Sequence, residues 1–282
     1  MSIEHVSDTA RWVAVYRAME TDRPDAIFHD PFARRLAGEK GEQIVRGMKR
    51  AQGVAWAMIV RTAVMDEIIG EALAQGTDTV LNLAAGLDAR PWRMELPPTL
   101  RWVDVDFAGI LDHKLSVLEG ETPKCDYRAL RADLTDGDAR RAALADATEG
   151  SSRTLVITEG LLLYLTPDDV AALGRDLHAA APIQAWLTDL ASPRLLKWML
   201  RSWSKNVNNP DAAFRFAPEE GTGFFEPLGW KEASFRSVGE EAYRLDRDMP
   251  GGWIWRLVGR FMSAEKQEEA RRMSGVVLLE RI

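Results

Sequence analysis

Four short apolar runs, each closed by an acid, recur along the middle of the chain: "TVLNLAAGLD" ends at Asp88, "WVDVD" at Asp106, "ALRAD" at Asp133 and "LVITE" at Glu159. Continuous apolar runs this short are what strands buried on both faces require. Helical stretches separate most of them. The clearest is "TPDDVAALGRDLHAAA", with Thr166 as N-cap, Pro167 in the first turn and Asp169 at the capping-box position. A fifth run, "IQAWLTDLAS", follows it. Strands alternating with helices predict an α/β fold whose sheet is mostly parallel, with helices on both faces.

Open sheets of this kind bind ligands beyond the carboxyl ends of their strands. The candidate site is therefore the set of polar residues that end them: Gly86, Asp88 and Arg90, then Asp106, Asp133 and Glu159. Four acids along one edge disfavour a pyrophosphate. They suit a ligand with hydroxyls, an ammonium and a sulfonium. The Gly-x-Gly-x-x-Gly spacing is missing, and one glycine suffices if the backbone need only pass close to an adenosine. Asp106 lies twenty residues after Gly86, the spacing at which an acid on the second strand accepts both hydroxyls of a ribose. Turn or helix capping explains any one of these aspartates equally well.

Residues 1 to 76 read as a helical cover. "DTARWVAVYRAMET" follows a candidate N-cap, Asp8; "DPFARRLAG" starts on Asp-Pro and stops at Gly38; "AWAMIVRTAVMDEIIGEALAQG" ends at Gly76. In the last of these Arg61 stands among Ala57, Met58, Val64 and Met65, an apolar face on which an arginine either snorkels or meets a buried anion. Residues 77 to 192 form the strand-rich core. From 193 to 282, "WKEASFRSV" and "GVVLLERI" predict two more strands around a largely helical segment. The last strand is apolar, so it is placed inside the sheet. No repeat or low-complexity linker divides the chain, which predicts one domain.

With 282 residues and 46% hydrophobic content, a full core is within reach and disorder is disfavoured. A single cysteine, Cys125, rules out an internal disulfide and a multi-cysteine metal site and fits a reducing, cytoplasmic setting. No apolar run is long enough to cross a membrane, and the first residues carry no secretory pattern. A net charge of −7 without a basic run argues against tight nucleic-acid binding. Nothing in the sequence fixes an oligomeric state.

"VLNLAAGLDARPWRM", "WVDVDF", "RADL" and "LVITEGLLLYL", in this order and spacing, resemble the S-adenosylmethionine-dependent methyltransferases of the leucine carboxyl methyltransferase family. The bacterial branch of that family also shows counterparts of "SDTA" at Ser7 to Ala10, "DPFA" at Asp30 to Ala33, the Arg61–Thr62 pair and "FFEPLGW" at Phe224 to Trp230. The resemblance spans nearly the whole chain. It implies a class I, Rossmann-like methyltransferase fold: a mostly parallel seven-stranded sheet with an antiparallel last strand and a helical N-terminal lid. It also implies S-adenosylmethionine as cofactor and no metal. By position, Arg61 would grip the carboxylate of the cofactor's methionine part, and Gly86, beside Asp88, would let the backbone approach it. Asp106 would hold the ribose, and Asp133 and Leu134 would meet the adenine. Glu159 would lie by the ammonium or the reaction centre, and Tyr164 would face the acceptor. Ala84, Ala85 and Ala89 depart from the Gly and the Ser or Thr often found in the family.

The acceptor implied is an oxygen, carboxylate or hydroxyl, of a small molecule or a protein C-terminus. A carboxylate needs no base, whereas a hydroxyl needs one, and His5, His29, His113 and His178 are the candidates. The ten tryptophans serve core and lid packing, or else Trp12, Trp198, Trp203, Trp253 and Trp255 wall an aromatic pocket. Two other readings use the same residues. A nicotinamide-dependent oxidoreductase shares the acid on strand two but lacks its pyrophosphate loop. A non-catalytic cofactor-binding regulator would have no need of the intact set of strand-end acids and Arg61.

Overall fold

A computed structural model describes residues 7–47, 51–203, 214–249, 251–252, 259 and 261–282. Three helices come first: α1 (Ser7–Thr21), α2 (Ala33–Gly47) and α3 (Ala51–Ala74). Asp8 lies inside the first turn of α1, not ahead of it. Gly38 does not end its helix: its positive φ of 61° makes a kink, and α2 runs on to Gly47. The core then alternates β1 (Thr79–Leu83), α4 (Arg90–Arg93), β2 (Arg101–Asp106), α5 (Ala108–Val117), β3 (Asp126–Arg131), α6 (Gly137–Thr148), β4 (Thr154–Thr158), α7 (Pro167–Ala179) and β5 (Ile183–Ala191). Thr166 and Asp169 close the capping box of α7 as its sequence predicts. The remaining elements are α8 (Pro193–Trp203), a 3₁₀ helix (Gly221–Leu228), β6 (Trp230–Ser237), α9 (Val238–Arg244), α10 (Ala264–Arg271) and β7 (Ser274–Arg281), besides a short 3₁₀ turn after β4. Of the long helical segment expected before the last strand, α10 is described, while residues 253–258 and 260 lie outside the described residues. The charged helix α9 was not anticipated.

One seven-stranded sheet runs in the order β3-β2-β1-β4-β5-β7-β6. Only β7 is reversed, and it sits between β5 and β6, so the apolar last strand is interior as expected. β1 and β4 are buried at every residue, which explains their unbroken apolar runs. β3 carries Arg128 and Arg131 because it is an edge strand, where charge blunts association with other chains.

Alternate residues of the strands feed separate cores. Leu81, Val103 and Val156 pack against α6 and α7, while Val80, Trp102 and Leu155 pack beneath α3 and α9. α1 and α2 pack on each other and over the carboxyl edge through Ala14, Leu36 and Leu87. In-register pairs such as Leu83 with Val105, Asp106 with Arg131 and Thr158 with Thr188 align the strand ends. Whatever follows them in sequence therefore converges on one edge.

Candidate active site

The chain leaves β1 through Ala84 and Gly86, with φ of 54° and 53°. A left-handed alanine costs about 1–2 kcal/mol. Its N–H donates to Val105 O at 2.8 Å, which anchors the turn to β2. Gly86 has two reasons to be glycine. Its φ is positive, and a Cβ there would come within 3.1 Å of the Ala10 Cβ on α1. The lone glycine is thus where the helical cover meets the sheet edge.

That turn also fixes Asp106. Its Oδ2 accepts the Gly86 N–H and its Oδ1 the Phe107 N–H, both at 2.7 Å. Burial pushes the carboxyl's pKa up, against the pull of those two N–H groups. Each oxygen accepts one bond and keeps a second lone pair. Behind it the fully buried Lys114 of α5 reaches Asp104 at 2.5 Å and holds that helix on β2.

Next to this lies a row of buried charges. Arg90 is 1% exposed. Its Nε donates to Asp66 at 2.6 Å and its Nη1 to Asp88 at 2.6 Å and to Glu159 at 2.8 Å. Its Nη2 is buried and meets no acceptor among the described residues. Arg61 reaches Glu159 at 3.0 Å and Asp189 at 3.1 Å, and the Gly160 N–H donates to Asp189 at 2.6 Å. Arg93 forks onto Asp66 with two bonds of 2.7 Å. Burial opposes ionisation of Asp88 and Glu159. The guanidinium of Arg90, joined by Arg61 at Glu159, outweighs it and holds both carboxyls below their usual range.

Arg61, Gly86, Asp88, Asp106, Glu159 and Tyr164 all line one cavity of about 1680 Å³. A smaller one shares Asp106 with it and is walled by Leu134, Phe107 and Leu161. Asp133 is apart from both: it is exposed, and its Oδ1 accepts the N–H and hydroxyl of Thr135 in its own turn at 2.9 and 2.6 Å. Tyr164 ends a 3₁₀ turn (Leu162–Tyr164), its hydroxyl bonded to Thr9 of α1 and its ring 5.5 Å from that of Phe214. Burial pushes its pKa up to about 12.

No histidine among the described residues lines either cavity. His29 is exposed, and His113 bonds Arg11 and the Leu36 carbonyl. His178 is half-buried edge-on to Trp230 at 5.8 Å, not at the surface, because the Gly229 turn closes over its ring. His5 lies outside the described residues. Trp12 and Trp198 line the cavity, joined by Trp56. The Trp203 side chain, Trp253 and Trp255 lie outside the described residues. No group of His, Cys, Asp or Glu among the described residues is placed to hold a metal ion.

Sequence reading missed Asp189, Asp66, Trp56 and the role of Arg90. Asp189 had a signal, since it ends the fifth apolar run as the other acids end theirs. Asp66 had none, being one more acid on a helix.

A sheet of this order with its one reversed strand, a glycine turn after β1 and an acid closing β2 define a class I S-adenosylmethionine-dependent methyltransferase. Residues 10–178 match the family described as leucine carboxyl methyltransferase. A Streptomyces avermitilis protein, provisionally named an S-adenosyl-L-methionine-dependent methyltransferase, is 35% identical over 272 residues, covering 87% of this chain and 93% of its own. A Streptomyces coelicolor protein named likewise is 31% identical, with the same coverage. The crystal structure of a DUF574 family protein from Streptomyces avermitilis superposes with a TM-score of 0.60 at 13% identity, covering 95% of this chain and 97% of that one. A provisionally named methyltransferase from Thermobifida fusca gives 0.56 at 16% identity, covering 95% and 94%. The chain belongs to the leucine carboxyl methyltransferase family. It is a methyltransferase with S-adenosylmethionine as cofactor, not a nicotinamide enzyme.

Proposed function

We propose that this enzyme methylates a carboxylate oxygen, with residues 1–76 covering a single catalytic domain in the cytoplasm. Among the described residues no helix is long and apolar enough to cross a membrane, which accords with that setting. The observation that carries the reading is that, among the described residues, no histidine lines the cavity and the carboxylates at its sheet-edge end, Asp88, Glu159 and Asp189, are each held by a guanidinium. Glu159 and Asp88 are ionised but pinned by guanidiniums, Tyr164 is pushed up to about 12, and no described histidine faces the space. A hydroxyl acceptor at the sheet edge would find no described histidine to take its proton, whereas a carboxylate is already ionised at neutral pH.

The residues fit the cofactor. Asp106 has free lone pairs for two ribose hydroxyls beside the close backbone approach at Gly86. The small cavity at Leu134 has mostly apolar walls for the adenine, while Asp133 stands outside it. Arg61 and the orphan Nη2 of Arg90 supply donors for the amino-acid carboxylate, and Glu159, Asp88 and Asp189 supply charge for its ammonium. When bound, the cofactor supplies a methyl carbon on a sulfonium: the acceptor's O–C bond forms, the S–C bond breaks with its electron pair going to sulfur, and no proton moves. The chain's part is to orient the partners and exclude water. α1, latched to Tyr164 through Thr9 and packed on Gly86, closes the site.

Two outcomes follow. Methyl-labelled cofactor should yield product that releases methanol in mild base, and enzymatic turnover should stay level from about pH 6 upward because no base titrates; base-stable product would refute a methyl ester. Tyr164→Phe should lower turnover roughly ten- to a hundredfold by removing one orienting bond, with S-adenosylhomocysteine affinity unchanged. Equal loss of both would mean that the hydroxyl serves only the bond to Thr9.

A further inference from the structure

The cavity is larger than the cofactor's needs, and its walls change character along its length. Ligand pockets commonly enclose about 300–1,000 Å³. A space of about 1680 Å³ leaves room, beyond one nucleoside and one amino acid, for a second molecule of comparable bulk. Charged side chains gather mainly in two places, with Glu240 and Asp248 standing apart from both. One is the sheet edge, with Arg61, Arg90 and Glu159. The other is a rim where α8 faces α10, with Arg194 and Glu269 paired at 3.1 Å and mostly exposed. Between them the wall is built from Trp12, Trp56, Leu195, Trp198, Phe214 and Met249.

This wall is aromatic and aliphatic and holds few groups that could answer a peptide backbone. A polypeptide terminus brings an N–H and a C=O with every residue, and each costs free energy if buried without a partner. The Trp56 indole N–H is already given to the Gly53 carbonyl at 3.0 Å. Trp198 is 47% exposed, a large apolar ring kept at the mouth with no described partner ring over it. An apolar acceptor would cover it.

We infer that the acceptor is a bulky, largely apolar small molecule enclosed whole between α1, α3 and α8, and not a polypeptide C-terminus. That its reacting group is a carboxylate rests on the reading above. The hydrophobic body lies along the tryptophan wall, and the anionic end points to the sheet edge, where Tyr164 and the cofactor's cationic centre meet it.

The test is a matched panel offered to the full chain with labelled cofactor: acetate, octanoate, dodecanoate, naphthoate, the corresponding primary alcohols, and a peptide ending in leucine. The expected result is that kcat/KM for base-labile product climbs about threefold to fourfold per added methylene between the shorter and longer acids. Trp198→Ala should cut dodecanoate kcat/KM by roughly tenfold while S-adenosylhomocysteine binding, read by calorimetry, holds; Trp56→Ala should do the same from the opposite wall. Acetate performing as well as dodecanoate, the peptide outrunning every small acid, or no methylation of any of them by cofactor-competent enzyme would each overturn the inference. Methylation of the alcohols in place of the acids, with the same rise in size, would overturn the carboxylate reading alone and uphold the apolar acceptor.

Discussion

Arg90→Met should destabilise the fold by about 3–5 kcal/mol, the cost of stripping the partner from buried charge. Arg90 is a 1% exposed hub whose guanidinium joins Asp66 on α3, Asp88 after β1 and Glu159 after β4. Methionine fills much of the volume but leaves Asp88 without its guanidinium partner, and Asp66 and Glu159 with only Arg93 and Arg61 against the crowded carboxylates. A loss of this size takes a large share of the 5–15 kcal/mol that holds a typical domain. The pH dependence carries the signature. In the parent, Asp88 and Glu159 have folded pKa values below their unfolded ones, so their contribution is present at neutral pH and lost as pH falls through the folded values. In the variant Asp88, left buried without its paired guanidinium, should rise above its unfolded value, and Glu159, still beside Arg61, should rise less. Its deficit is then greatest at pH 7 and shrinks toward pH 4. Urea unfolding at both pH values reads this directly, and a deficit independent of pH would mean that Arg90 contributes through packing alone.

Asp106→Ala should weaken S-adenosylhomocysteine binding at least tenfold. Charge-assisted hydrogen bonds to two hydroxyls contribute roughly 1.5–3 kcal/mol each before solvent exchange is discounted. The same carboxylate also accepts the N–H groups of Gly86 and Phe107, so the alanine variant frees a turn as well as a ligand contact. Asp106→Asn separates the two effects, because its amide oxygen still accepts while its charge is gone. Calorimetry on both variants, with circular dichroism to check the fold, decides the matter. Wild-type affinity in both would place the nucleoside elsewhere.

The sheet was legible in the sequence because burial on both faces leaves an unmistakable trace, and β1 and β4 contain no exposed residue at all. The acids at strand ends followed from that, since parallel strands in register must deliver their next residues to the same edge. Arg90 was visible in "DARPWR" but its meaning was not. Its partners lie 24 residues before it and 69 after it, and only the folded sheet brings them within 2.8 Å. Gly38 looked like a helix end because glycine at positive φ usually is one, yet the chain resumes its helix beyond the kink. Asp133 shows a different outcome: an acid in the anticipated position whose Oδ1 accepts from Thr135 in its own turn. His178, one of the candidate bases, packs edge-on against Trp230 instead of lining the cavity.

The placement of β7 has a consequence for how the protein comes into being. This strand, Ser274–Arg281, is the last of the seven to leave the ribosome, yet it pairs with β5 on one side and β6 on the other. Until it emerges, the nascent sheet has two raw borders, and Trp186 and Leu187 on β5 lack the strand that pairs beside them. Unpaired borders of this kind are templates for association with other chains. Synthesis of this enzyme therefore passes through an interval in which β1 to β5 are made but cannot be sealed. The hand-off from translation to folding is the moment at which a chaperone has most to protect.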